Sequence, residues 1–174
     1  MNIIGTERLI LRELKPEDAE DLYRIYSDPL TMEFMGAGSV SVKAEREQIE
    51  KHITKYYEKE GFGLWATVLK EDKRLIGRCG LLRYEIEGVM ETEIAYLIDR
   101  NYWGRGLATE AARSIVKLAS EKYNFDRLIA VINPQNTASV RVAEKIGMKF
   151  EREVIYKNFG KVELYGLSLT DSPD

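Results

Sequence analysis

The order of elements along the chain predicts an α/β (α+β) fold: a single mixed, mostly antiparallel seven-stranded sheet with four helices. Hydrophobic periodicity gives the order β-α-α-β-β-β-α-β-α-β-β, which is neither a regular βαβ alternation nor an antiparallel meander. The chain has 174 residues, enough for one real core but short for two, so we expect one domain over residues 1–174. Its composition, 44% hydrophobic and 32% charged, is ordinary for a globular protein.

The N-terminal part is predicted to form one strand and two helices. Apolar and polar residues alternate over residues 6–14, which indicates a strand. Pro16 is suited to the first turn of the following helix, and Asp28-Pro29 ends that helix. A second amphipathic helix is expected from about residue 41 to 60.

Three strands joined by short polar turns are predicted next, at residues 62–70, 74–84 and 90–98. A glycine-containing loop over residues 99–106 then leads into a helix over residues 107–122.

The C-terminal part is predicted to contain a strand, a helix and two closing strands. Their ranges are residues 127–132, 136–146, 148–156 and 162–169. The turn between the last two strands includes Asn158 and ends at Gly160.

Composition also excludes several classes of protein. No apolar run is long enough to cross a bilayer, and the first residues lack the pattern of a signal peptide, so we expect a cytoplasmic protein without a membrane partner. The net charge of −3 argues against direct nucleic-acid binding and suits a cationic substrate. Cys79 is the only cysteine, which excludes an internal disulfide and a cysteine-based zinc site.

The segment from the third of these strands into the next helix has the features of an anion site. Unpaired N–H groups and a partial positive charge mark a helix start, and glycine permits close approach of a phosphate. A plain turn is the alternative on glycines alone. A P-loop would require Gly-Lys-Ser/Thr where the chain has Gly106-Leu107-Ala108, and a dinucleotide fold would require a last glycine near Thr109 or Glu110.

Three blocks of the sequence resemble the GNAT acetyltransferase superfamily. Gly106 and Ala108 match the last two positions of its coenzyme loop, Arg/Gln-x-x-Gly-x-Gly/Ala, while Trp103 stands where Arg or Gln is usual. This departure is typical of one branch, the ribosomal-protein N-terminal (Ala/Ser) acetyltransferases. Residues 6–12 and 136–148 are similar to the same branch, and the order of elements is that of the superfamily.

The resemblance implies acetyl-CoA as cosubstrate and no metal. Backbone N–H groups of the loop and helix start would hold the pyrophosphate, and they belong to Gly104, Arg105, Gly106, Leu107, Ala108 and Thr109. Backbone groups at Leu97 and Ile98 would pair with the pantetheine arm, and the Asn136 side chain would bond its amides. Asn136 equally fits a helix N-cap that requires no ligand.

Two residues are candidates for proton transfer. An amine acceptor must lose a proton before it attacks, and Glu93 is placed to take it directly or through water, although Glu91 is an equally available acid. The tyrosine that often protonates the departing thiolate corresponds to Ala143 here, and in the resembling branch a serine at the position of Ser139 is its suggested replacement. The plain alternatives are a solvated acid at Glu93 and an ordinary first-turn residue at Ser139.

The expected activity is N-acetylation of a primary amine by direct transfer in a ternary complex. The resemblance favours a protein N-terminal α-amine and leaves open a polyamine, an amine-bearing antibiotic and a homodimer. The alternative function is a non-catalytic acyl-CoA-binding sensor. Cys79 is expected to be a buried inert thiol, and His52 to be a surface residue.

Overall fold

A computed structural model describes residues 2–156 and 159–170 of the chain. Asn158, in the turn predicted between the last two strands, lies outside these residues. The strands are β1 (Asn2–Gly5), β2 (Leu9–Arg12), β3 (Leu64–Leu69), β4 (Leu75–Ile86), β5 (Val89–Ile98), β6 (Arg127–Ile132), β7 (Lys149–Ile155) and β8 (Lys161–Ser168). The helices are α1 (Ala19–Tyr26), α2 (Val42–His52), α3 (Leu107–Glu121) and α4 (Thr137–Lys145).

The strands form one sheet in the spatial order β1-β2-β3-β4-β5-β6-β8-β7. Neighbouring strands are antiparallel except β5 and β6, which run parallel. The mixed, mostly antiparallel sheet and the four α-helices therefore confirm the predicted fold class. None of the helices in the described ranges is both long and apolar enough to span a membrane.

The strand count is eight in the described residues, and the predicted seven is corrected by the N-terminal strand β1. The Thr6 amide donates to the Leu9 carbonyl at 2.9 Å, so the chain turns where the prediction had one continuous strand from residue 6. The turn folds β1 back against β2, with Ile4 opposite Leu11. A short strand before a turn gives too few alternating residues for its period to be recognised.

The second helix begins as predicted but is shorter. The Ser41 hydroxyl caps α2 by accepting the Ala44 amide at 3.1 Å. After His52 the backbone continues as one π-helical turn, Ile53–Tyr57, and does not extend the α-helix to residue 60.

Helices cover both faces of the sheet around β3, the third strand in the spatial order, and β3 is buried at all six positions. On one face α1 and α2 pack through Leu22, Ile25 and Ile49. On the other face α3 and α4 pack through a cluster that includes Ala111 and Ile115. Full burial of each large apolar side chain stabilises the fold by about 1.5–3 kcal/mol.

His52 corrects the expectation of a surface residue. It is half-buried, and its Nε2 accepts the Leu64 amide at 2.9 Å. Burial first, and then the positive charge of Arg78, lower the His52 pKa to about 4. The imidazole is therefore a neutral acceptor that ties the end of α2 to the start of β3.

This pKa predicts a loss of stability in mild acid. The unfolded chain binds a proton at the ordinary histidine pKa of 6.5, whereas the folded chain resists it down to about 4. The contribution of His52 is complete above the unfolded pKa and is lost as the pH falls through this window. Between about pH 7.5 and 5 the loss should be about 2 kcal/mol.

Urea unfolding at these two pH values checks the expectation. His52→Gln keeps an acceptor for the Leu64 amide but does not titrate, so its free energy of unfolding should fall less over the same interval. An equal fall in both proteins would show that His52 does not govern the acid sensitivity.

Candidate active site

The loop after β5 presents its backbone because two glycines hold left-handed conformations. Gly104 and Gly106 both have φ of 75°, which L side chains rarely adopt. Gly106 is also the N-cap residue of α3. A Cβ at Gly104 would meet nothing within 4 Å, so the space in front of it is open.

The start of α3 directs several amides outward. The first helical hydrogen bond joins the Glu110 amide to the Gly106 carbonyl at 3.0 Å. The amides of Leu107, Ala108 and Thr109 precede that bond and have no partner within the helix. Together with the positive end of the helix dipole they have the arrangement that suits a phosphate group.

Thr6 and Arg8, near the N-terminus, hold this loop in position through contacts with Glu110; we refer to these contacts as the clamp. The Arg8 guanidinium pairs with the Glu110 carboxylate, Nη2 to Oε2 at 2.6 Å, and donates to the Arg105 carbonyl at 2.9 Å. The Thr6 hydroxyl donates to the same carboxylate at 2.6 Å. Burial alone would raise the Glu110 pKa, but hydrogen bonds from Thr6 and Arg8 outweigh it and lower the pKa.

A second set of contacts fixes the beginning of the loop. Asp99 is buried and accepts from Arg24 Nη1 at 2.9 Å and from the Asn101 amide at 3.0 Å. Arg100 pairs with Asp28 at 3.0 Å, which joins the segment after α1 to the loop.

A cavity of about 580 Å³ opens between α3, α4, the end of β5 and the segment after α1; we refer to it as the larger cavity. Its lining includes nine residues named from the sequence: Leu97, Ile98, Gly104, Gly106, Leu107, Ala108, Thr109, Asn136 and Ser139. Arg105 is not among the lining residues; it is exposed, and its guanidinium lies over the Tyr102 ring at 5.3 Å. Trp103 does line the cavity and is half exposed.

The larger cavity follows from the divergence of β5 and β6. The register of this parallel pair consists of one position, Glu93 opposite Ile129. Beyond it the Ile98 carbonyl faces away from β4 and accepts the Trp103 indole N–H at 2.7 Å. The Leu97 carbonyl faces β4 instead, because a Cβ placed on Gly77 would lie 2.0 Å from it. The free edge of β5 therefore carries backbone groups of Ile98, while those of Leu97 face the sheet.

The start of α4 forms the opposite wall. The Asn136 Oδ1 accepts the Ser139 amide at 3.1 Å, which is N-cap geometry and leaves its Nδ2 for another acceptor. Tyr96 on β5 donates its hydroxyl to the Ser139 carbonyl at 2.8 Å. Both Tyr96 and Ser139 line the larger cavity, so the first turn of α4 is fixed beside the diverging strands.

A smaller cavity of about 230 Å³ lies beside the larger one and shares four lining residues with it; we refer to it as the smaller cavity. The shared residues are Phe34, Met35, Tyr96 and Leu97. Glu93, which does not line the larger cavity, lines the smaller one, and its Oε1 accepts the Val131 amide of β6 at 3.3 Å.

The surroundings of Glu93 and Glu91 differ. Burial, followed by the nearby charge of Glu93, raises the pKa of the Tyr84 hydroxyl. Glu91 lines neither cavity and pairs with Arg127, Nε to Oε2 at 3.3 Å. Glu93 is therefore the acid of the two that lines the smaller cavity.

Cys79 is an inert thiol, as expected. It is fully buried in the core, and burial raises its pKa. Among the described residues, no three or more His, Cys, Asp or Glu side chains are grouped closely enough to hold a metal ion.

Sequence reasoning missed the clamp on the loop after β5. Thr6 and Arg8 were part of a recognised block, but their partner Glu110 lies 102 residues after Arg8. The available signal was the polar run Thr-Glu-Arg at residues 6–8, directly before β2, which indicated side chains able to form polar contacts.

Comparison with known proteins agrees with this geometry. Residues 8–149 match the family described as the acetyltransferase (GNAT) domain. YnaD of Bacillus subtilis (strain 168), described as an uncharacterized N-acetyltransferase, is 30% identical over 148 residues, covering 85% of this chain and 83% of YnaD.

Solved structures have the same fold. A GNAT-family acetyltransferase from Bacillus anthracis superposes with a TM-score of 0.81 at 25% identity, covering 97% of this chain and 99% of that one. RimL, a ribosomal L7/L12 α-N-protein acetyltransferase solved with coenzyme A, superposes with a TM-score of 0.78 at 15% identity, covering 97% and 98%. The chain therefore belongs to the GNAT acetyltransferase family and is an acetyl-CoA-dependent N-acetyltransferase.

Proposed function

We propose that the acceptor is a protein N-terminal α-amine, which attacks the acetyl thioester directly in a ternary complex. The observation that carries the proposal is the pair of cavities that meet at Tyr96 and Leu97. One contains a helix start suited to a pyrophosphate, and the other contains a carboxylate suited to an ammonium group. A coenzyme in the larger cavity and an amine in the smaller cavity would meet where the cavities join.

The residues of the larger cavity fit acetyl-CoA. The open backbone at Gly104 and Gly106 and the free amides of the first α3 turn suit the pyrophosphate. The backbone edge of β5 at Ile98 and the side-chain nitrogen Nδ2 of Asn136 suit hydrogen bonds with the pantetheine arm. An N–H at the β5 edge would polarise the thioester carbonyl as charge develops on its oxygen. For Leu97 a backbone contact would require its groups to turn away from β4.

The choice of a protein α-amine is supported by likeness to RimL, whose substrate is a ribosomal protein N-terminus. The blocks at residues 6–12 and 136–148 point to the same branch. The smaller cavity also has an apolar wall, formed in part by Phe34, Met35 and Phe159, that suits the first side chains of a peptide.

Proton transfer is assigned to Glu93 and Ser139. The half-buried Glu93 carboxylate would accept a proton from the ammonium group, directly or through water. Ser139 is in the first turn of α4 at the wall of the larger cavity. Its hydroxyl can donate a hydrogen bond there to the sulfur of the leaving thiolate as negative charge develops on it. Direct transfer is supported by Cys79, which is buried and has a raised pKa, and so is unsuited to form an acetyl-enzyme.

Release of free CoA thiol from acetyl-CoA tests the activity against a panel of amines. A peptide with a free N-terminal Ala or Ser should react fastest, ahead of a polyamine and an aminoglycoside, and its N-acetylated form should not react. Double-reciprocal plots of initial rate against one substrate, at several fixed concentrations of the other, should intersect, because both substrates bind before the acetyl group is transferred. Parallel lines in these plots, together with an acetylated Cys79 detected by mass spectrometry, would contradict direct transfer. Acetyl-CoA binding without turnover on any amine would indicate a binding module instead.

The coenzyme assignment predicts a large effect of Gly106→Val. The branched side chain would stand at the phosphate site and strain a left-handed position, so acetyl-CoA affinity should fall by about tenfold or more. Gly88→Val is the matched control, since Gly88 has φ of 85° and open space around it in the distant β4–β5 turn. Calorimetry of a folded Gly106→Val protein with wild-type affinity would refute the assignment.

The assignment of Glu93 as the general base predicts that Glu93→Gln lowers the rate of acetyl transfer in a pH-dependent way. Loss of a general base typically costs about 10²–10⁴-fold in rate, and the deficit should shrink at high pH where free amine is abundant. Glu91→Gln is the control, because that carboxylate is bound to Arg127 and lines neither cavity. Full turnover of Glu93→Gln at neutral pH would show that the base is elsewhere.

The rate loss caused by Ser139→Ala should be about 10²-fold, the low end of the range for a general acid or base, since water can replace the hydroxyl. Its acetyl-CoA affinity should change little. Lower affinity with unchanged turnover would make Ser139 a binding residue and not a proton donor.

A further inference from the structure

An arginine without a carboxylate partner lies in the wall of the smaller cavity. Arg78 is on β4, is half-buried and lines this cavity together with Glu93. Its guanidinium carbon lies 5.0 Å from the centre of the Tyr26 ring, a cation–π contact that holds the group in place. Within residues 2–156 and 159–170 Arg78 forms no ion pair.

Several arginines that join distant segments of the fold form ion pairs. Arg8 binds Glu110, Arg12 binds Asp18, Arg24 binds Asp99, Arg100 binds Asp28, and Arg127 binds Glu91 and Glu151. A half-buried charge without a partner is unfavourable, and the two half-buried arginines of this group, Arg12 and Arg127, are both paired. Arg78 is also half-buried but forms no ion pair within the described residues, and it lines the smaller cavity.

The positive charge of Arg78 is felt by its neighbours. Burial raises the Tyr26 pKa to about 12, and Arg78 works against that rise. Burial lowers the His52 pKa, and Arg78 lowers it further. Arg78 thus contributes a positive charge to the region around Tyr26 and His52, where the buried Glu45 contributes a negative one.

The sheet register separates Arg78 from Glu93 by a definite interval. Arg78 lies opposite Leu97, and Leu82 lies opposite Glu93, so the two charged residues are on adjacent strands and the same face. They are four residues apart along the strand direction, roughly 13 Å, and the spacing between the two strands adds to the distance between their Cα atoms. Ala95, a small residue, lines the cavity between them. The space thus has an anionic wall at one end and a cationic wall at the other.

We propose that Arg78 binds a carboxylate of the acceptor, so that the substrate is a primary amine with a carboxylate several bonds from its nitrogen. The inference rests on the proposed function, since Glu93 receives the ammonium group and Arg78 the anion. A guanidinium can hold a carboxylate through two parallel hydrogen bonds, which selects for this group. The carboxylate belongs either to an acidic side chain that follows a peptide N-terminus or to a small amino acid.

Two matched pairs of acceptors distinguish these sources. The first is Ala-Glu-Ala amide with Ala-Gln-Ala amide, and the second is 6-aminohexanoate with 6-aminohexanamide. At least one charged member should have a kcat/KM about tenfold or more above its neutral partner, mainly through KM, as one hydrogen bond to a charged group provides. The pair that shows the larger ratio identifies the source of the carboxylate.

Substitution of Arg78 should abolish the preference. In Arg78→Met the ratio within the pair should approach one, and in Arg78→Lys it should be intermediate, because lysine keeps the charge but not the paired donors. Arg83→Met is the control: Arg83 is exposed on the same strand, lines neither cavity, and its substitution should leave the ratio intact. Circular dichroism and thermal unfolding confirm that each variant is folded.

Calorimetric titration of the four probes in the presence of CoA separates this inference from the proposed function. Tighter binding of a charged probe that disappears in Arg78→Met supports the anion site even if no amine is acetylated. Equal binding and equal kcat/KM within both pairs in the wild-type protein would overturn it, as would a preference that survives in Arg78→Met.

Discussion

The parting of β5 and β6 after a single paired position is the feature on which the whole site depends. Parallel strands normally continue to share hydrogen bonds, but here Glu93 opposite Ile129 is the register of the pair. Beyond this point the edge of β5 is open toward the cavities and α4 begins beside it. Tyr96, which lines both cavities, bridges the gap through the Ser139 carbonyl. One irregularity of the sheet thus opens the space in which, under the proposed function, the two substrates would meet.

The charges around this gap fall into two groups. Pairs such as Arg8 with Glu110 and Arg24 with Asp99 hold the loop after β5 from outside the cavities. Buried or partly buried pairs of this kind position backbone more than they stabilise it. The charged groups that line the smaller cavity, Glu93 and Arg78, face a space that a substrate can enter. Position relative to the cavities, and not residue type, separates structural charges from those available for recognition.

Local patterns predicted most of the fold. The amphipathic helices and the glycine loop are recognisable because their determinants lie within a few residues of one another, as in the N-cap at Asn136. Contacts between distant segments were not predictable. His52 resembled a surface residue among charged neighbours, yet its partner Leu64 is twelve positions away. The position of Arg78 in the wall of the smaller cavity, without an ion pair among the described residues, is likewise a property of the folded sheet and has no signature along the strand.

The clamp on the loop after β5 connects the first strand turn to a helix that begins about a hundred residues later. Closing so long a loop has an entropic cost that only a largely folded chain can offset. During synthesis the anion site cannot be complete until Glu110 has emerged and met Arg8. A coenzyme that binds only this completed arrangement shifts the equilibrium toward the native state by mass action. Bound acetyl-CoA should therefore raise the free energy of unfolding of the enzyme as well as supply the acetyl group.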